Sequence, residues 1–126
     1  MPEKILVVDD SALSRRTMRR ILEGAGYSVV EAAEGMSALE LYSLEKPRAV
    51  LLDLVMQGMY GLEVLSKLRE MDSDALVIVA SADIQSSTRT LAKEAGACSV
   101  IHKPLVASEV LEALDNALGG PTLGTN

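Results

Sequence analysis

The sequence predicts a doubly wound α/β domain, a five-stranded parallel sheet with five helices distributed over its two faces. Two observations carry this. Short β-branched runs alternate with longer segments of helical period along most of the chain, which is the grammar of βαβ units. The runs are also apolar almost throughout instead of alternating with polar residues, as strands buried on both faces must be. At 126 residues, 48% hydrophobic and 24% charged, the chain has the size and composition of one globular domain.

The first strand is Ile5 to Val8, and Met18, Ile21, Leu22 and Ala25 mark the first helix. Ser28 to Ala32 forms the second strand, with a more weakly marked helix on Ala38, Leu39 and Tyr42. Ala49 to Leu52 is the third strand, succeeded by a helix on Leu62, Leu65 and Leu68. Leu76 to Ala80 is the fourth, with Ile84, Leu91, Ala92 and Ala95 as a second weakly marked helix. Ser99 to Ile101 is the fifth, and Val110, Leu111, Leu114 and Leu118 mark the last helix. Gly24, Gly26 and Gly96 fall where helices must stop. Residues 1–118 thus read as one domain, and 119–126, rich in glycine with Pro121, as a flexible tail, a linker stub or a cloning scar.

Charge and composition exclude several function classes. Twelve Lys and Arg against 18 Asp and Glu give a net charge of −6, so a nucleic-acid backbone is repelled overall. Aromatic residues are 2% of the chain, too few for the stacking platforms of single-strand binders. One cysteine, Cys98, and one histidine, His102, allow neither an internal disulfide nor a Cys- or His-rich metal site. No apolar run approaches the roughly 18 residues of a membrane span. The start carries no secretory pattern, so the cytoplasm is the expected compartment.

In an open parallel sheet, functional groups gather at the carboxyl ends of the strands. Asp9 and Asp10 come after the first strand, Asp53 ends the third, Ser81 comes after the fourth, and Lys103 with Pro104 after the fifth. Three carboxylates, a hydroxyl and an amine therefore converge on one edge. Three carboxylates around one crevice require a cation, and hard oxygen ligands suit Mg²⁺, whose usual further partner is a phosphate oxygen. Lys103 and Ser81 supply positive charge and a hydrogen bond for such a group. An aspartate can act as nucleophile and form an acyl phosphate; Asp53 is the candidate, because the adjacent Asp9 and Asp10 look like the metal end.

These residues also carry a family resemblance. Val7-Val8-Asp9-Asp10-Ser11, then Val50-Leu51-Leu52-Asp53-Leu54-Val55-Met56, then Val79-Ala80-Ser81-Ala82, then Gly96-Ala97 ahead of His102-Lys103-Pro104 resemble a two-component response-regulator receiver domain of the chemotaxis type, over residues 3–118. The resemblance implies the flavodoxin-like strand order 2-1-3-4-5. It implies that Asp53 accepts a phosphoryl group from a sensor histidine kinase or a small acyl-phosphate donor. Mg²⁺ would be held by Asp10, the Asp53 carboxylate and the backbone carbonyl of Val55, with Asp9 contributing through water. Lys103 would bridge to Asp53 or its phosphoryl group, and the bond to Pro104 is often cis in the family. Ser81 would move to the phosphoryl oxygen and reshape the surface of the fourth helix, fifth strand and fifth helix, which a downstream effector protein or a missing output domain would read. Beyond Mg²⁺-dependent self-phosphorylation and self-dephosphorylation, no enzymatic turnover is implied.

The chain departs from the pattern at several positions. Val100 stands where many receivers place a switching aromatic, so signalling is expected to use the loop from Ala82 to Ser87 and the packing of Val100 and Ile101. Gln57 and Tyr60 replace the usual proline and Asp or Asn, and the lost helix cap costs about 1 kcal/mol. Val55 and Asp83 occupy positions that tune phosphoryl lifetime in the family; an apolar Val55 is ill suited to orient water, which predicts slow self-hydrolysis and a dedicated phosphatase as partner. Competing readings are a structural Lys103 to Asp53 ion pair, and a phosphorylation-independent interaction module on the same fold, motivated by Gln57, Tyr60 and Val100. Arg15, Arg16, Arg19 and Arg20 form a basic stripe on the first helix, expected to be a solvated face.

Overall fold

The computed structural model describes residues 2–55, 60–82 and 85–119. Its elements run β1 (Lys4–Val8), α1 (Ala12–Gly24), β2 (Ser28–Ala32), α2 (Gly35–Glu45), β3 (Ala49–Asp53), α3 (Gly61–Met71), β4 (Val77–Ser81), α4 (Ser86–Glu94), β5 (Ser99–His102) and α5 (Ala107–Ala117). All four pairings are parallel, and the order is β2-β1-β3-β4-β5, as the resemblance implied. Among the described residues no helix is long and apolar enough to cross a membrane.

Alternation along each strand divides the core between the two faces of the sheet. Ile5, Val7, Leu51 and Ile78 meet Met18 and Leu22 of α1 and Val110 and Leu114 of α5. Leu6, Val8, Leu52 and Val79 meet Ala38 of α2, Val64, Leu65 and Leu68 of α3 and Ala92 of α4. Both faces are covered, so every position of a central strand must be apolar, and each fully buried Leu or Ile contributes about 1.5–3 kcal/mol.

Differences from the sequence reading have physical causes. β3 extends through Asp53, β4 through Ser81 and β5 through His102, because ladder pairing of Asp53 with Ala80 and of Ser81 with His102 is indifferent to side-chain polarity. β4 begins at Val77, although the Leu76 carbonyl still accepts the Val50 N–H at 2.8 Å. Leu91, expected in the core, is 51% exposed. Its neighbour Ala92 faces the sheet instead, and one residue of helix rotation carries Leu91 to the rim. Gly26 and Gly96 take positive φ at helix stops as expected, whereas Gly24 is the last residue of α1 and α2 stops on Lys46 at φ 49°. Ile84 and the tail beyond Gly119 lie outside the described residues.

The basic stripe on α1 is only half a solvated face. Arg16 and Arg20 are exposed, but Arg15 Nε and Arg19 Nε donate to the two carboxylate oxygens of Glu31 on β2, at 2.9 and 2.6 Å. Residues four apart share a helix face, and this one looks onto β2. Arg19, and after it Arg15, holds the Glu31 carboxyl below the usual carboxylate range. A lowered carboxyl adds stability above its ordinary pKa and loses it as pH falls through the lowered value. Glu31→Gln is expected to cost about 1 kcal/mol at neutral pH, the deficit shrinking as pH falls through the lowered Glu31 value. Urea melts in an acid series from pH 7 downward measure this; a deficit that never shrinks contradicts the ion-pair account.

Candidate functional site

The register of the sheet brings the sequence-predicted groups to one place. Val8 of β1 pairs with Leu52 of β3, so Asp9 leaves the sheet level with Asp53. Ser81 ends β4 beside His102, and the Lys103 N–H continues the ladder to the Ser81 carbonyl at 2.9 Å. Carboxylate oxygens of Asp9, Asp10 and Asp53 lie within 4.8 Å of one another. Asp9, Asp53 and Ser81 are buried, while Asp10 is exposed at the rim.

Lys103 reaches into this cluster from across the sheet. Its Nζ lies 2.6 Å from Asp9 Oδ2, 3.5 Å from Asp53 Oδ2 and 3.4 Å from Ser14 Oγ. The sequence reading attaches Lys103 to Asp53; the shorter contact is to Asp9, the more deeply buried carboxylate. The Lys103–Pro104 bond is cis, as the resemblance implied. Asp9 Oδ1 accepts the Ser11 N–H at 2.9 Å, and Ser11 Oγ in turn caps α1 by accepting the Ser14 N–H at 3.2 Å. Asp53 Oδ1 accepts the Val55 N–H at 3.2 Å. The Val55 side chain stands 60% exposed beside the acidic edge.

The turn after β3 is held by a close backbone approach. Gly61 donates its N–H to the Leu54 carbonyl at 2.9 Å, and a Cβ there would overlap the Asp53 carbonyl and the Leu54 Cα. Only glycine fits. Tyr60 occupies the N-cap of α3 without a side-chain hydrogen bond, in agreement with the cap loss read from the sequence. Met56, Gln57 and Asp83 lie outside the described residues, as does part of the expected switching loop from Ala82 to Ser87. Val100 is half-buried and packs on the core shared with α2, α3 and α4.

The charge balance at this edge is acidic. Three carboxylates against one ammonium leave an excess of negative charge, and every donor is a hard oxygen, the set that suits a small divalent cation. Burial holds the Asp53 carboxyl above the usual carboxylate range; Asp9 adds to this, against the opposing pull of Lys103 and the Val55 N–H.

Sequence reasoning missed Arg15, whose Nη1 donates to the Asp9 carbonyl at 2.7 Å, and Ser14, which lies beside Lys103. The available signal was Glu31, a lone carboxylate in the apolar run Val29-Val30-Glu31-Ala32, which demands a cationic partner.

A raised carboxyl opposes folding once it ionises, and the penalty disappears as pH falls through the raised value. Asp53→Asn is therefore expected to raise Tm by a few degrees at pH 7 without divalent cations, the gain fading toward pH 4. Thermal melts in chelator at both pH values measure this, and a loss of Tm at pH 7 contradicts it.

Comparison with known proteins agrees with this fold. Residues 5–115 match the family model of the response regulator receiver domain. The response regulator MprA of Mycolicibacterium vanbaalenii is 40% identical over 111 residues, 88% of this chain but 48% of that protein, so the chain spans about half the length of this relative. The chemotaxis protein CheY of Bacillus subtilis is 39% identical over 119 residues, 94% of this chain and 99% of that protein. Among solved structures, a chain of the CheX-CheY-BeF3-Mg²⁺ complex from Borrelia burgdorferi superposes with a TM-score of 0.89 at 30% identity, covering 92% of this chain and 89% of that one. With its sheet order, its acidic edge and a match over residues 5–115, the chain belongs to the receiver-domain family of two-component response regulators, the phosphorelay modules of signal transduction.

Proposed function

We propose that the chain accepts a phosphoryl group on Asp53 and uses it to switch its surface. The observation that carries this is the buried Asp53 carboxylate set between two further aspartates and the Lys103 ammonium. An Asp53 carboxylate oxygen attacks phosphorus, a P–O bond forms, and the bond from phosphorus to the donor nitrogen or oxygen breaks with its electron pair leaving on the donor. Donors are the phosphohistidine of a sensor kinase or a small acyl phosphate.

Asp10, the Asp53 carboxylate and the Val55 carbonyl would hold Mg²⁺, with Asp9 contributing through water. When bound, the ion supplies neutralisation of the charge gathering on the phosphoryl oxygens. The Borrelia burgdorferi complex contains BeF3 and Mg²⁺ together, which supports an anionic group and a divalent cation as joint ligands. Lys103 balances the remaining charge, and the Ser81 hydroxyl hydrogen-bonds a phosphoryl oxygen, drawing in the loop after β4 and altering how Val100 and Ile101 pack. A downstream effector protein, or an output domain, reads the altered face. The setting is the cytoplasm, where donor kinases present their phosphohistidines.

Intact-mass detection of phosphoryl uptake from an acyl-phosphate donor, with and without Mg²⁺, tests the reading. Wild type is expected to gain one phosphoryl group only with Mg²⁺, Asp53→Asn to gain none, and Lys103→Ala to react about 100-fold more slowly. No uptake by folded protein in excess Mg²⁺ overturns the proposal and leaves a phosphorylation-independent interaction module as the better account.

Val55 bears on the lifetime of the phosphoryl group once it is attached. An exposed apolar side chain two residues from the acceptor offers no hydrogen bond to orient an attacking water. The phosphoryl group is expected to persist for minutes or longer in purified protein, with a dedicated phosphatase to remove it. Decay within seconds, tracked by the same mass measurement, refutes this.

A further inference from the structure

The two edges of the sheet are finished differently. β2 and β5 end the strand order, so among the described residues neither has a partner strand on its far side. An unpaired edge is a template for another chain, and charged side chains are a common guard against that. On β2 the guard is present. The Ser28 N–H donates to the Glu3 carbonyl and the Ala32 carbonyl accepts the Asp9 N–H, so by alternation Val29 and Glu31 turn their backbone groups outward. Arg19 Nη2 lies 3.5 Å from the Val29 carbonyl, and the Glu31 side chain is held between Arg15 and Arg19.

β5 has no such guard. Its residues, Ser99 to His102, include no lysine, arginine, aspartate or glutamate. The Lys103 N–H bonds the Ser81 carbonyl at 2.9 Å, so by the same alternation Ile101 faces β4 while the backbone groups of Val100 and His102 face outward. A groove of about 610 Å³ lies along β5, with Glu109, Glu112 and Asn116 of α5 on its other wall. Glu109 and Glu112 stand one helical turn apart and exposed, and among the described residues neither side chain makes a hydrogen bond or ion pair. On the other face of β5 the character changes. Val100 is half-buried there, and α4 carries the exposed Leu91 with Arg89 and Lys93.

We propose that the open edge of β5 takes up an extended segment of a partner protein by strand addition, a segment in which lysine or arginine alternates with apolar residues. Main-chain hydrogen bonds to Val100 and His102 supply the affinity, and the two-residue period of a strand sorts the side chains. Basic ones face Glu109 and Glu112; apolar ones face Val100 and Leu91, away from the cations of α4. A second copy of this chain is the poorer occupant. Antiparallel pairing of β5 with its own copy sets α5 beside α5, with glutamates facing glutamates on a chain of net charge −6. The inference deepens the proposed function and rests on that reading, because β5 lies in the face that the partner reads.

The test is an NMR titration of the full chain, labelled with ¹⁵N, against a short synthetic peptide of alternating Lys and Val. The Val100 and His102 amides are expected to shift and to exchange more slowly with solvent, the mark of new main-chain hydrogen bonds. A peptide of alternating Glu and Val leaves them unchanged. The Lys and Val peptide N-methylated throughout keeps its charge but loses its main-chain donors, and binds at least about tenfold more weakly. On the protein side, Glu109→Lys combined with Glu112→Lys weakens binding about tenfold or more. Val100→Pro removes an outward N–H, leaves the bond from Lys103 to Ser81 in place, and abolishes binding. If Val100→Pro does not fold, the charge-reversed variant and the N-methylated peptide decide. Equal binding of the N-methylated peptide overturns the inference, as do unaltered binding by the charge-reversed variant, shifts that spare β5, or no binding at about 1 mM peptide. Self-association that protects the same amides without peptide assigns the edge to a second copy and overturns it as well. Phosphoryl uptake on Asp53, followed by mass on the same sample, separates the two levels. Its failure overturns the proposed function, whereas uptake without peptide binding overturns strand addition alone.

Discussion

The constraint on which the rest of the structure depends is the burial of two carboxylates. Asp9 is fully enclosed and Asp53 nearly so, and an ionised carboxylate in such a place costs several kcal/mol unless it is paired. Its relief comes from Lys103, 94 residues further along the chain than Asp9, through an ammonium 2.6 Å from Asp9 and 3.5 Å from Asp53. That single group can serve both only if β1, β3, β4 and β5 end level with one another. The parallel register provides this: Val8 stands beside Leu52, Asp53 beside Ala80 and Ser81 beside His102.

Relief is incomplete, and the shortfall has chemical meaning. One ammonium cannot neutralise three carboxylates, and the Asp53 carboxyl stays above its usual range because burial outweighs the pull of Lys103 and the Val55 N–H. The edge therefore carries an excess of negative charge on hard oxygen groups. Rigidity comes from below: strands apolar on both faces are clamped between α1 and α5 on one side and α2, α3 and α4 on the other. Side chains at strand ends inherit that rigidity.

The opposite flank shows how a helix far from the acceptor enters the site. α1 places Arg15 and Arg19 on Glu31 of β2, and Arg15 then reaches past Glu31 to the carbonyl of Asp9. A basic helix on an acidic protein is thereby partly spent on internal order, leaving Arg16 and Arg20 facing outward.

Much of this is legible in the residues themselves. Apolar runs of strand length, separated by helical periods, determine a parallel sheet, and the strand-end rule then singles out Asp9, Asp10, Asp53, Ser81 and Lys103 from position alone. What determines those features is local: the period of burial and the chemistry of the residue that comes after each strand. Strand limits are less legible, because the backbone ladder runs on through Asp53, Ser81 and His102 after the apolar pattern stops. Leu91 defeats the periodicity because a helix of nine residues with small core contacts leaves its inward face ambiguous by one position. Pairings are not legible at all. That Lys103 lies nearer Asp9 than Asp53, that Arg15 and Arg19 share Glu31, and that Tyr42 donates to Asp72 at 2.7 Å are choices among several reachable partners. Long polar side chains reach partners far away in sequence, and only the packed distances between elements decide which of them is met.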